Sequence, residues 1–523
     1  MSLARDAGAI AAALGALALL APLPAGASRR REALRVAGAL ALIAGALVVL
    51  ASLVPADDAR AAVGSPARAA AMAAAVLAAA GLVAALARLV VARPVAWFAL
   101  LGVALPIRVP VSLGSLEANL LVPLYLVIAI GVVAWAWGRA RGRVAMPSLG
   151  PPAITLPLAL FLAWVFASAL WSTDPQEAGI KVACFYAPFT ILYALVLAFW
   201  PHARALAALV VTALAGASVA AALALFQFWS GALWWNDTLI QANVYSRFFR
   251  VNGFFYDPNI LGRYLAMAML VALALAWTRR RGPELAGLAA ALALMAGGLF
   301  VTYSRSSTLM LMIGIVLLSA RAAGPRRVAA AAGAALAVAA ALTFATSSEV
   351  REAATDLDRL ERVSEGRFGL MRGGLTIWRG DPVEGTGLGS FAQEFEETLT
   401  DSERARIRVV ISHNTPVTVL SEGGLIGFAL FCWLLGGAGW AAVRGSREQG
   451  GGAGWARWCA GAILLGIVAH SLLYAALFED PFVWVLAAGA VALAASTPAR
   501  PGGDDRPDPD AEPEAGPREA LAT

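Results

Sequence analysis

A histidine next to an asparagine stands in Ser412-His413-Asn414-Thr415-Pro416, where a long polar stretch gives way to an apolar run. The chain has 523 residues and three histidines. Nine residues separate Asn414 from Gly424-Leu425-Ile426-Gly427, which gives the pattern His-Asn-x9-Gly-x-x-Gly. A neutral imidazole takes up a proton near pH 7, as the activation of a hydroxyl nucleophile requires. Arg250, Arg305, Arg367 and Arg372 fall on the same membrane side as His413 in the topology derived below. Guanidinium groups hold phosphate oxygens through paired, charge-assisted hydrogen bonds. One histidine with several arginines therefore suits transfer of a group off a phosphate or diphosphate.

Plainer roles compete for the same residues. Arg305, at a helix end in Thr302-Tyr303-Ser304-Arg305-Ser306-Ser307, could snorkel to lipid headgroups. Asp257-Pro258-Asn259 reads as a helix cap. Trp229, Trp234, Trp235 and Tyr245 form either an interfacial belt or a stacking platform for sugar or isoprenoid. Gly385-Thr386-Gly387-Leu388-Gly389 is either a plain loop or a backbone cradle for phosphate at a helix start. His470, inside an apolar run, reads as a core histidine, and His202, beside Pro201, as a surface one.

The elements that must position these groups are membrane helices. The chain is 60% hydrophobic and 14% charged, where soluble domains carry about 25% charged residues, and its mean hydropathy is +0.73. In hydrocarbon a backbone must satisfy its own hydrogen bonds, which helices of about 20 residues do. Alternating barrel strands are absent from the pattern. Cys184, Cys432 and Cys459 lie in apolar segments, with neither disulfide nor metal spacing. Lys181 is the only lysine. The first apolar run leads into Arg29-Arg30-Arg31 and not into a cleavage site.

Spans are expected near 7–27, 35–54, 68–91, 95–107, 119–137, 154–171, 180–200, 204–229, 258–277, 284–302, 304–320, 327–346, 415–441, 456–477 and 481–497, giving an all-α polytopic protein of about 12–15 transmembrane helices. The 95–107 run is short and reads as tilted or re-entrant. The spans themselves are almost charge-free. Alternate loops divide into an arginine-rich set and an acidic set, so the arginine-rich face is cytoplasmic and His413 faces outward. The resulting organisation is N-terminal helices over 1–229, an outer loop over 230–257, helices over 258–346, a long outer loop over 347–412, helices over 413–497 and a disordered cytoplasmic tail over 498–523. The long loop is expected to hold short helices near 349–363, 366–379 and 390–406.

Over roughly 240–440 the chain resembles the O-antigen ligase/polymerase superfamily of polytopic glycosyltransferases. The resemblance rests on His413-Asn414-x9-Gly424-x-x-Gly427, Arg305-x-x-x-Leu309, Arg250-x-x-Gly253-Phe254 with Pro258-Asn259, and the stretch from Arg367 through Trp378 to Gly385-x-Gly387-x-Gly389-x-Phe391. It implies a GT-C-like fold and, as donor, a glycan on undecaprenyl diphosphate, presented at the outer face of the bacterial cytoplasmic membrane. It further implies an inverting transfer without metal, nucleotide or other cofactor. On this resemblance His413 is the general base, and Arg305 and Arg367 hold the diphosphate. Arg250, Asn259, Asn414 and Arg372 bind substrate or fix the loops. Glu422 either orients the site or hydrogen-bonds inside the bundle. The partners implied are the lipid-linked donor, a lipid or glycan acceptor, membrane lipid and other polysaccharide-assembly proteins, with no nucleic acid. Ligase, polymerase and protein O-oligosaccharyltransferase all remain open, and a lipid-linked-sugar flippase is the alternative from another class.

Overall fold

Prolines, serines and acidic caps punctuate the apolar runs, and helices begin where they fall. Ser65 accepts a hydrogen bond from Arg68 N and Asp174 from Glu177 N, each just before a proline in the first turn. The structure is a computed structural model that describes residues 2–22, 28–54, 64–113, 116–200, 203–234, 236–245, 248–278, 282–328, 330, 332–333, 367–400, 412–443, 451–475 and 477–495.

The helices in chain order are α1 (Ser2–Leu20), α2 (Ser28–Leu53), α3 (Pro66–Ala92), α4 (Val95–Ala104), α5 (Val122–Ala140), α6 (Pro152–Ser168), α7 (Pro175–Phe199), α8 (Ala203–Ser230), α9 (Asp237–Tyr245), α10 (Pro258–Thr278), α11 (Gly282–Thr302), α12 (Arg305–Ala323), α13 (Arg367–Gly380), α14 (Phe391–Thr398), α15 (Thr415–Val443), α16 (Gly451–Ser471) and α17 (Pro481–Ala495). Among the described residues, ten are long and apolar enough to cross a membrane, and α4, α6 and α17 are shorter apolar helices. The chain is a multi-pass helical membrane protein. One departure from the all-helical expectation is an antiparallel hairpin, Val109–Leu113 with Leu116–Leu120, which follows α4. The expected spans recur with their ends displaced by up to seven residues, except that 327–346 lies largely outside the described residues. The expected loop helix near 349–363, His202, Trp235 and the tail also lie outside them.

Burial separates the core from the lipid-facing wall. The most apolar windows of α7 and α10 are 72% and 67% buried, against 11% for α3, so the first two run through the middle of the bundle. In α1 and α2, glycines seven residues apart (Gly8 and Gly15, Gly38 and Gly45) bring the backbones together, since a Cβ at any of them would meet backbone atoms of the other helix within 2.8 Å. In α7 a π-helical stretch covers Lys181–Tyr186, just ahead of Pro188. Proline has no N–H for the carbonyl four residues back, and that carbonyl, on Cys184, accepts from the Tyr125 hydroxyl at 2.6 Å instead.

The spans, expected to be almost charge-free, hold a few buried charges. Arg263 in α10, Lys181 in α7 and Glu422 in α15 are all buried. They sit there because ion-pair partners from other elements meet them.

Candidate active site

The site is organised around a broken helix. Gly424 takes φ 62° and ψ −166°, so α15 is two helical pieces and not the single span expected. A break of this kind strands carbonyls on one side and N–H groups on the other, which hydrocarbon cannot satisfy. The Gly385 loop satisfies them. Thr386 N donates to Ser421 O at 3.1 Å and Gly387 N to Glu422 O at 2.9 Å, while Trp164 Nε1 donates to Gly423 O at 2.9 Å. Beyond the break, Leu425 N and Ile426 N donate to the carbonyls of Pro382 and Val383 at 2.9 and 3.3 Å. The close approach demands glycine on both sides: a Cβ at Gly424 would lie 2.1 Å from Val383 O, and one at Gly385 2.5 Å from Gly424 N. The glycine-rich stretch is thus a buried clasp with left-handed glycines, and its amides serve protein carbonyls.

Glu422 belongs to that clasp. Its Oε1 accepts from Phe391 N at 3.4 Å and lies 3.6 Å from Lys181 Nζ, which is also 3.6 Å from Glu479 Oε1. Lys181 thereby ties α7, α15 and the segment before α17 together. Of the two roles weighed for Glu422, its contacts are those of a bonding group within the bundle.

His413 sits at the start of this assembly with φ 54°, half-buried. Among the described residues three non-glycines have positive φ: Asn236, Tyr303 and His413. Asparagine and histidine are among the residues that tolerate this region best, whereas Tyr303 is held there at a cost of about 1–3 kcal/mol. Tyr303 and His413 both border the polar centre. Asn414 caps α15 by accepting from Val417 N at 3.0 Å, and its Nδ2 donates to Leu472 O at 3.0 Å. That bond draws the segment between α16 and α17 against His413.

The segment supplies Tyr474, whose ring lies between two imidazoles, with centroids 6.2 Å from His413 and 5.5 Å from His470. The Arg263 guanidinium stands 5.7 Å from the same ring and pairs with Asp480 at 2.9 Å. Burial pushes the Tyr474 hydroxyl well above its ordinary pKa; Asp257 acts the same way, and Arg263 and Arg108 oppose it. The phenol is therefore neutral at physiological pH.

His470 is fully buried, and its Nε2 lies 3.1 Å from Ser306 Oγ and 3.4 Å from Ser307 Oγ. Ser307 Oγ donates to Asn259 O at 3.2 Å, and Ser304 Oγ lies 2.8 Å from both Asn259 Oδ1 and Ser307 Oγ. Asn259 Oδ1 accepts from an Arg250 terminal nitrogen at 3.2 Å, and Arg250 Nε donates to Thr302 O at 3.1 Å. A continuous chain of contacts thus runs His413, Tyr474, His470, Ser306/Ser307, Asn259, Arg250. Arg305, the first residue of α12, is exposed beside the serines.

The structure brings Arg250 and Asn259 into direct contact and joins them to His413 through Tyr474 and His470. Arg372 lies on the exposed side of α13. Met371, next to it, meets Asn414, with Asn414 Nδ2 4.0 Å from the sulfur. Arg367 opens α13 one turn before Met371. Trp229 and Tyr245 are exposed, as either reading of the aromatic cluster requires. Sequence reasoning missed Tyr474, Arg263 and Asp480, and read His470 as core filling. Arg263 carried a signal, because a charge more than a turn inside an apolar helix needs a partner. The i, i+4 spacing of His470 and Tyr474 was a fainter one.

Residues 290–432, about a quarter of the chain, match the family model described as O-antigen ligase. The matched stretch holds Arg305, Arg367, Arg372, His413, Asn414 and Glu422, while Arg250, Asn259, Arg263, His470 and Tyr474 lie outside it. No curated protein matches the chain.

Proposed function

From membership of the O-antigen ligase/polymerase superfamily, which residues 290–432 carry, we propose that this chain moves a glycan from undecaprenyl diphosphate to an acceptor hydroxyl at the outer face of the bacterial cytoplasmic membrane. His413 takes the acceptor proton as the hydroxyl oxygen attacks the anomeric carbon. The bond from that carbon to the phosphate oxygen breaks, and undecaprenyl diphosphate leaves with the electron pair, so the sugar inverts. Arg305, Arg367 and Arg372 meet the growing charge on the diphosphate, and guanidinium groups supply that stabilisation without a metal ion. Arg250 and Asn259 hold the loop before α10 against α12, and Asn414 holds Tyr474 in place.

The observation that carries this reading is the contact chain from His413 to Arg250, which draws on α10, α12, α15 and α16 at one end of the bundle. The broken helix α15 is the one feature that favours a flippase, because transporters bind cargo at such breaks. Here the freed backbone groups are taken by the Gly385 loop and Trp164, which leaves them serving the fold. The test is purified protein with an undecaprenyl-diphosphate-linked glycan and an acceptor. Wild type should release undecaprenyl diphosphate with glycan on the acceptor, and His413→Ala should not. Full transfer by the variant would refute the base assignment. In a deletion strain, unattached long chains would identify a ligase and single repeats a polymerase.

A further inference from the structure

Helix α4 has ten residues, whereas its neighbour α8 has 28. Ten residues rise about 15 Å, half the roughly 30 Å of a bilayer core. The two helices touch at Gly102, where a Cβ would lie 1.9 Å from Thr212 Oγ1. Where α4 gives out, a cavity of about 710 Å³ opens, lined by Val103, Ala215, Val219 and Phe254 among others. That volume lies within the ~300–1,000 Å³ of small-molecule sites. Val103 and Val219 are each 56% exposed, so the groove is open along its side, toward lipid.

A single charged residue lines it, Arg108. Beside α8 that arginine stands alongside an apolar stretch, a placement that marks an anion or pathway site more often than a packing one. It also reaches the polar centre: an Arg108 terminal nitrogen donates to Glu479 O at 3.4 Å. Glu479 precedes Asp480, whose carboxylate holds Arg263 over the Tyr474 ring. The groove therefore runs from the lipid-facing wall to the edge of the site, apolar along its length and cationic at its inner end.

We propose that this groove holds the isoprenoid units nearest the diphosphate of the lipid-linked donor, with Arg108 on the adjoining phosphate. The proposal rests on the donor class given above and adds the path by which the donor arrives, sideways from the membrane between α4 and α8. Arg108 is here a binding residue, one step outside the reacting atoms.

The test uses the full chain in phosphatidylcholine nanodiscs, with geranylgeranyl diphosphate as probe and geranylgeraniol as its uncharged counterpart. Val219→Trp and Ala215→Phe fill the groove from exposed positions, and Arg108→Gln removes the charge. Both filling variants should weaken the two probes by roughly tenfold or more, and Arg108→Gln should weaken only the diphosphate, by a similar factor. Unfolding transitions matching wild type establish that the variants are folded, and if one filling variant fails this the other decides. Wild-type affinity in the folded filling variants would overturn the groove while leaving the donor reading intact. Equal displacement of the probe by phosphatidylglycerol would also overturn it, by making the groove a general lipid site. Absence of probe binding to wild type would overturn the groove and the donor reading together.

Discussion

Asp480→Asn isolates what the buried ion pair does for the site. The substitution keeps an Oδ1 to cap Phe482 N, an acceptor now 3.0 Å away, and removes only the charge. Arg263, 1% exposed, is then left without its partner. At 2.9 Å the gross attraction of the pair is about 6 kcal/mol for an effective dielectric of about 20. Desolvating each ion costs several kcal/mol, so the intact pair comes near to breaking even while half a pair does not. Asp480→Asn should therefore cost about 3–5 kcal/mol, a large part of a total stability of roughly 5–15 kcal/mol. Arg263→Met should cost about as much, and the double variant should return to within about 1–2 kcal/mol of wild type, because a buried pair can be replaced by apolar groups at little cost. Equilibrium unfolding of the four proteins in bicelles measures all three numbers. Transfer activity should fall in Asp480→Asn as well, since Arg263 packs on the ring between His413 and His470. A single variant within about 1 kcal/mol of wild type, as at an exposed pair, or a double variant that costs the sum of the two, would refute the argument.

His413→Ala should lower transfer by about 10²–10⁴-fold with the unfolding transition unchanged, the range for loss of a general base; single-turnover kinetics with lipid-linked donor reads it. Arg305→Lys should bind donor more weakly despite the retained charge, because an ammonium cannot reproduce the guanidinium fork, and an unchanged donor KM would move the diphosphate elsewhere. Gly424→Ala should prevent the clasp from closing, with a left-handed φ and a Cβ 2.1 Å from Val383 O. Gly427→Ala, whose Cβ would meet side-chain atoms of Trp164 at 3.1 Å and no backbone closer than 3.9 Å, should be milder, and equal yields of folded protein from the two would contradict the geometry.

Much of this was legible in the chain and some was not. The run 258–277 reads as a span and forms Pro258–Thr278, and the run 284–302 forms Gly282–Thr302. Apolar length and proline position are local properties, and transfer into hydrocarbon responds to them almost alone. The His-Asn-x9-Gly-x-x-Gly spacing was also visible, and the Gly424 in it is the residue that breaks α15. Why it does so was not visible, since the groups that satisfy the break come from Trp164 and from the 382–387 loop.

By itself, then, the sequence determined a multi-pass helical protein and picked out His413, Arg250 and Asn259 as residues with unusual neighbours. Only the tertiary structure decided that His470, 164 residues from Ser306, bonds to it, and that Tyr474 lies between the two histidines. It also decided that Arg263 and Lys181 could be buried at all, by bringing Asp480, Glu422 and Glu479 to them. Helix formation needs only neighbours along the chain. A buried polar network needs partners from distant segments, and no local pattern records where packing will deliver them.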